Sequence, residues 1–452
     1  MAAIDLGDLA RRAAELGGEE AIASVSVRRE LLVRCGPDGT LAPPRRTDDV
    51  VVRLLVRDGA GRIGVARCNG ATNTDALLEL AEAAHDQAAA SHTDLAPLPY
   101  VAPGPVHGGF DSGSAALDPV AAVRVAREAA QSIAYEPGLA RAATLRAEVV
   151  ESAVAASGGD AVFDARTGAR LDATAVDVDG LLAGAAQGSS RAVGDLQSWL
   201  IGDRATPQPI DVERVGQRAL PSDLPVVLAT EALAPLLEAL ARVACTGHAH
   251  ATGTSPFTGR YGAPVAPAGV TLVDAPQHPR TLARSIDVEG VPAREVRLID
   301  DGYLADLVHD TDSATEAGGI STGHAADLGG GADCALPRNL VLDGGGAVDL
   351  DDLLRPTDQA VVIGAIVGVR THGPGSTRFT ATGRVAYATS RGEPTKRLGD
   401  VALAGDLLDV LTNIDGLTVA TDLLATMARE PEHTLATHCP AVLTSGITVV
   451  VS

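Results

Sequence analysis

Pro225-Val226-Val227-Leu228-Ala229, then Thr230 to Val243, then Ala244-Cys245-Thr246-Gly247-His248-Ala249-His250-Ala251-Thr252-Gly253, is the stretch whose reading decides the fold. The first segment is a short β-type run and the second has helical spacing. Together they open the longest unit, Asp223 to Ser452. Strand-like runs follow at Val270 to Val273, Arg294 to Ile299, Val361 to Val369, Arg384 to Ala388 and Gly446 to Val451, interrupted by a helix at Gly405 to Asn413. Strands dominate, so this unit reads as a β-rich domain with flanking helices.

The third segment puts two histidines and a cysteine within six residues. A zinc peptidase helix supplies two His on one face with a Glu between them as general base. His248 and His250 are two apart, which on a helix separates them by about 200° around the axis. Sharing a metal requires a strand or a loop, and Gly247 and Gly253 suggest a loop. Glu289 is the only glutamate between Arg242 and Gly290. His438-Cys439 is the other metal-like pair, and Cys439 reads equally as a small buried residue. A diverged site built from His248, His250 and Cys439 is therefore the alternative to no metal in this chain.

Working outward, Leu6, Leu9, Ala10, Ala13 and Leu16 recur at helical spacing before Gly17-Gly18. Ala23, Val25 and Val27 alternate with Ser24, Ser26 and Arg28, the period of a half-buried strand. Strands at Val50 to Val56 and Ile63 to Ala66 precede a helix from Asp75 to Ala90, N-capped by Asn73 or Thr74. A Pro/Gly-rich linker spans Pro97 to Gly113. Asp118-Pro119 opens a further helix, and Leu145 to Ala155 and Ala161 to Val178 form a hairpin around Ser157-Gly158-Gly159-Asp160. A helix at Ile210 to Leu220 closes that unit. The fold class is α+β: an N-terminal domain (1–96), a linker (97–117), a middle α+β domain (118–221) and the larger β-rich domain (222–452).

The composition is 46% hydrophobic but only 2% aromatic, so the cores are expected to be built from Ala, Val, Leu and Ile. Lys396 is the only lysine, which removes Schiff-base and P-loop chemistry. A formal charge of -22 repels phosphate backbones and anionic lipid, so neither nucleic acid nor membrane is an expected partner. Five scattered cysteines without CxxC spacing, no signal peptide and no run of ~20 apolar residues point to the cytoplasm. Gly329-Gly330-Gly331 and Gly344-Gly345-Gly346 lack phosphate-loop spacing and read as turns. Ser376 or Thr377, beside His372, lacks a nucleophile elbow and reads as part of a Gly-Pro loop. His324 lies in the Gly-rich turn Ser321-Thr322-Gly323-His324-Ala325. From the residues alone there is no complete catalytic constellation.

The order of segments from Pro225 onward resembles the TldD/PmbA family, and within it the PmbA (TldE) branch. The residues carrying this are Pro225-Val226-Val227-Leu228, Gly253-Thr254-Ser255-Pro256-Phe257, Leu272-Val273-Asp274-Ala275-Pro276 and Ile286-Asp287-Val288-Glu289-Gly290-Val291-Pro292. Asp301-Gly302-Tyr303-Leu304, Ser321 to Ala325, Pro337-Arg338-Asn339-Leu340 and Val401 to Leu408 follow in the family's order. The resemblance implies a heterodimeric zinc metallopeptidase acting on unfolded or short peptides, leader segments included. It also implies that a TldD-like partner subunit holds the zinc on a His-Glu-x-x-x-His helix and a distant Cys. Ending that motif on His248 puts Val243 and Ala244 where the first His and the Glu belong. The chain is thus expected to bind no cofactor and to have no catalytic residue, with His324, Ser376 and Thr377 as candidate substrate contacts. It departs from the branch at His372-Gly373-Pro374-Gly375-Ser376-Thr377, where the branch has Asn-Pro-x-(Thr/Ser)-Gly. An independently active metalloenzyme and a peptide-binding scaffold without peptidase activity are the competing readings.

Overall fold

The computed structural model describes residues 5–91, 98–208, 210, 218–221, 223–327, 333–347, 349–428 and 433–451. The first layer is one antiparallel sheet. After α1 (Leu6–Gly17), capped by Asp5, come β1 (Ala21–Gly36), β2 (Gly39–Arg57) and β3 (Ile63–Asn69). Then follow α2 (Thr74–Ala90), capped by Asn73, the short α3 (Ser112–Ala115) and α4 (Pro119–Ser132), capped by Asp118. Next are β4 (Ala140–Ala156), β5 (Val162–Val176), β6 (Leu182–Ser190) and α5 (Ser198–Arg204). The strand order is β3-β2-β1-β4-β5-β6. Pairing of β1 with β4, from Ile22↔Ala156 to Cys35↔Ala143, carries the sheet across the segment read as a linker.

That segment is not a free tether. Ala102 N donates to Gly290 O at 3.1 Å, Gly109 O accepts from Thr167 N at 2.9 Å, and His107 Nε2 sits 2.7 Å from Asp164 Oδ1. On one face of the sheet the odd positions of β1 and β4 build two helix-covered cores. One centres on α1 and α2; the other packs α4 and α5 on Val33, Leu145 and Leu171. The α4 contacts are Ala122, Ala126, Ala129 and Ala130, so small side chains let the helix lie close to the sheet.

The opposite face corrects one expectation. A half-buried strand leaves this face to solvent; instead Ser24 and Ser26 are half-buried beside Arg284, Asp287 and Arg338 of the C-terminal domain, and Arg28 is 3% exposed. The Arg28 guanidinium is paired, Nε to Glu148 Oε2 at 2.8 Å, with a second contact to Glu30.

The second layer comprises β7 (Arg218–Ala219), β8 (Val226–Leu228), α6 (Thr230–Ala244), α7 (Gly247–Ala251), β9 (Leu272–Asp274), β10 (Val296–Asp300) and β11 (Tyr303–Leu304). It continues through α8 (Thr311–Glu316), β12 (Ala325–Asp327), β13 (Asp333–Ala335), β14 (Asn339–Leu342) and α9 (Leu350–Leu354). It ends with β15 (Gln359–Thr371), β16 (Arg378–Ser390), β17 (Glu393–Asp406), α10 (Leu407–Thr412), β18 (Gly416–Thr426), β19 (Leu435–Thr444) and β20 (Ile447–Val451). Among the described residues the main sheet runs β11-β10-β9-β14-β19-β8-β15-β16-β17-β20-β7, with β18 paired to β19. This is the α+β architecture expected. Of the helix expected at 210–220, residues 211–217 lie outside the described residues, and Arg218–Ala219 form a strand against β20. Residues 329–331, read as a turn, also lie outside them.

Helix α6 packs Leu233, Leu236, Leu237 and Leu240 into the largest core. Pro235 lies inside it and costs about 3 kcal/mol in an ordinary helix interior. Four buried leucines at roughly 1.5–3 kcal/mol each outweigh that. Among the described residues no helix is long and apolar enough to cross a membrane.

Candidate functional site

The stretch that opened the sequence reading is not a loop. Thr246 caps α7 by accepting from Ala249 N at 3.3 Å, and Ser255 Oγ donates to Ala244 O at 2.7 Å, fastening α7 to the end of α6. The two histidines therefore diverge. His248 is exposed, whereas His250 is half-buried with its ring edge-on to Tyr261 at 5.0 Å.

Several candidate residues gather at this end of α6. A Cβ at Gly247 would come within 2.2 Å of the His309 ring, so only glycine lets that histidine pack there. His309 N donates to Thr322 Oγ1 at 2.7 Å, and Thr322 Oγ1 is 2.8 Å from His324 Nδ1. The loop 372–377 arrives from the other side: Gly375, at φ +68°, passes so close to Thr254 that a Cβ would lie 2.0 Å from its carbonyl oxygen. Ser376 and Thr377 are half-buried in it, and Thr377 Oγ1 donates to Asp406 Oδ2 at 2.8 Å.

His324 is fully buried, its Nε2 3.0 Å from Asp274 Oδ1. Burial pushes the imidazole down to about 4 despite the opposing charge of Asp274. Burial would raise Asp274, but His324, Arg284 and the backbone N–H of Asn339 hold it at about 2.

Cys439 lies elsewhere. It is buried on β19 with Sγ 3.9 Å from Thr230 O, at the first residue of α6. At a 1.5 Å rise per residue, the end carrying His248 and His250 is roughly 20 Å away along the helix. Burial also raises the Cys439 thiol well above its ordinary value, which favours the neutral form. His438 is pushed down to about 4 by burial, with Arg280 and His278 adding to the effect. The donor set weighed for a metal does not converge and does not fit zinc. Among the described residues no group of three His, Cys, Asp or Glu side chains stands ready for a metal.

Sequence reasoning missed a pair of carboxylates on α6. Glu231 and Glu238, seven apart, share one side of the helix. Glu231 Oε1 accepts from Arg204 Nη2 at 2.9 Å, while the same guanidinium reaches Asp422 Oδ2 at 2.9 Å. Glu238 Oε1 accepts from Thr437 Oγ1 at 2.9 Å. Burial raises Glu238 to about 7, with Thr437, Arg242 and Arg170 only partly offsetting it. A carboxyl that changes charge near neutrality can hold or release a proton there. Two glutamates at i and i+7 on an otherwise apolar helix face were the available signal.

The family model described as PmbA/TldA metallopeptidase C-terminal domain matches residues 221–451, just over half of the chain. The chain belongs to the TldD/PmbA family. Curated relatives include a metalloprotease of Methanothermobacter thermautotrophicus, 30% identical over 166 residues, and one of Archaeoglobus fulgidus, 28% identical over 162. These alignments cover 36% of this chain and 36–37% of the relatives, little more than a third of their length. TldE of Thermococcus kodakarensis shares the fold with a TM-score of 0.79 at 19% identity, over 97% of this chain and 98% of that one. A Thermotoga maritima crystal structure superposes with a TM-score of 0.75 at 22% identity, over 97% of both chains.

Proposed function

We propose that this TldD/PmbA chain is the non-zinc, TldE-like subunit of a two-component metallopeptidase. Its partner is a TldD-like subunit that supplies the zinc and the general base. The substrates are unfolded or short peptides, leader segments among them. The observation that carries the reading is the end of α6, where Val243 and Ala244 occupy the positions of a His and the Glu in the motif that ends on His248. Without these there is neither a complete ligand set nor a base to activate water. The divergence of His248 from His250, and the placement of Cys439 at the far end of α6, argue against the independent metalloenzyme. The fold shared with Thermococcus kodakarensis TldE supports the assignment to this branch.

Peptide binding would use strand edges and loop backbone of the C-terminal domain, the way an extended peptide adds to a sheet. The loop 372–377 with Ser376 and Thr377, beside α7, is the proposed contact. All five cysteines are free, which fits a reducing compartment and supports a cytoplasmic location.

The test is reconstitution. The chain is co-expressed with a His-Glu-x-x-x-His homologue, and the complex and each component are assayed on an unfolded peptide. Cleavage that needs both chains, with co-purification, is the expected result. Full cleavage by the homologue alone, with no association, would reject the partnership and favour a separate scaffold role.

A further inference from the structure

Between the buried polar face of the first sheet and the C-terminal domain lies a partly open cavity of about 70 Å³. At roughly 10–15 Å³ per water, this is room for about five waters, or for one small anionic group with part of an aliphatic body. Its charged lining is Arg53, Arg166, Arg284 and Arg338 against Asp164 and Asp287. All four arginines are more than nine-tenths buried.

The two carboxylates are committed elsewhere. Asp164 Oδ1 lies 2.7 Å from His107 Nε2 and accepts from Ser285 N and Oγ at 3.0 and 2.7 Å. Asp287 accepts from Glu289 N and Val291 N at 3.0 Å each, and from Ala325 N at 2.9 Å. Arg284 is held by Asn339 Oδ1 on Nε and by Gly323 O on Nη1. Among the described residues its Nη2 has no hydrogen-bond acceptor and is held only by a long ion pair to Asp274 Oδ1 at 3.9 Å. A buried guanidinium N–H without a hydrogen bond is incompletely satisfied, and an oxyanion in the adjoining cavity would complete it.

We propose that this cavity binds one carboxylate group on a short aliphatic body, with the Arg284 guanidinium, which lines it, as a donor. The planar guanidinium matches a carboxylate in geometry. Val150, Val154 and Ile286 in the walls suit the aliphatic part, and Ser26 and Ser152 add hydroxyls on the half-buried side. A dianion such as phosphate would place more charge against Asp164 and Asp287 than a monoanion does. The carboxylate has two sources, the C-terminus of a peptide or a free short-chain acid. The inference stands apart from the subunit role proposed above.

Calorimetric titration of the purified full chain tests it with three probes: acetyl-Gly-Val as the free acid, the same dipeptide as its C-terminal amide, and acetate. The expected result is saturable one-to-one binding of a carboxylate, with the amide at least about tenfold weaker than the acid. If the dipeptide acid binds more tightly than acetate, the source is a peptide terminus; equal binding assigns the site to a free acid, and both uphold it. Arg284→Gln is expected to weaken binding at least about tenfold. Should that variant not fold, Val150→Phe fills the cavity while keeping every arginine and is expected to abolish binding. No carboxylate binding, an amide equal to the acid, or wild-type affinity in Val150→Phe would overturn the proposal.

Discussion

Glu238 shows at the residue scale how a position on a regular helix acquires an unusual proton affinity. Burial raises its carboxyl to about 7 from an unfolded value of 4.5, against the pull of Thr437 Oγ1. The folded chain thus binds the proton more tightly than the unfolded chain does. The stability from this linkage is fully present below the unfolded value and is lost as pH rises through about 7. Glu238→Gln mimics the protonated form, so it should melt above the wild type at pH 8, with a much smaller gap at pH 5. Equal melting temperatures at both values would show that the carboxyl is not perturbed. Glu148 gives the contrasting case of a buried charge that is paired. Its removal in Glu148→Ala leaves the Arg28 guanidinium short of its main partner and should cost about 3–5 kcal/mol, read from the urea midpoint.

Elements differ in how much of them could be read from sequence. Helix α6 was legible because Leu233, Leu236, Leu237 and Leu240 recur at helical spacing, a local property. The caps Asn73 and Asp118 were legible for the same reason. Helix α7 was not, because Gly247 resembles a loop glycine until His309, more than sixty residues later, is found against it. The alternation in β1 correctly predicted a strand but not what covers its polar face. That cover comes from Arg284, Asp287 and Arg338, which periodicity within β1 cannot reveal. Strands β17, β18 and β19 escaped notice because both faces of that region mix polar and apolar residues. The loop 372–377 is the element whose placement is most exposed to test. Gly375→Ala combines a left-handed backbone with a contact 2.0 Å from Thr254 O, so it should destabilise the chain by roughly 1–3 kcal/mol. If the loop contacts peptide, that variant also loses peptide affinity in the reconstituted complex; unchanged affinity would remove the loop from the site.

At the scale of the whole molecule, the two layers are joined through buried charge together with a small apolar cluster of Ile22, Val154, Val162 and Ile286. The first sheet keeps its two helix-covered cores on one side and offers Arg28, Arg53 and Arg166 to the other. This junction holds the cavity, while the α6–α7 end and the Glu231–Glu238 side of α6 supply the remaining candidate chemistry. None of these places assembles zinc ligands from His248, His250 and Cys439. Metal content and peptide hydrolysis of the chain purified alone test this most directly, with Cys439→Ala alongside. The expected result is no stoichiometric zinc, no cleavage, and no change in either on Cys439→Ala. One tightly held zinc per chain, lost in Cys439→Ala together with peptide cleavage, would contradict it.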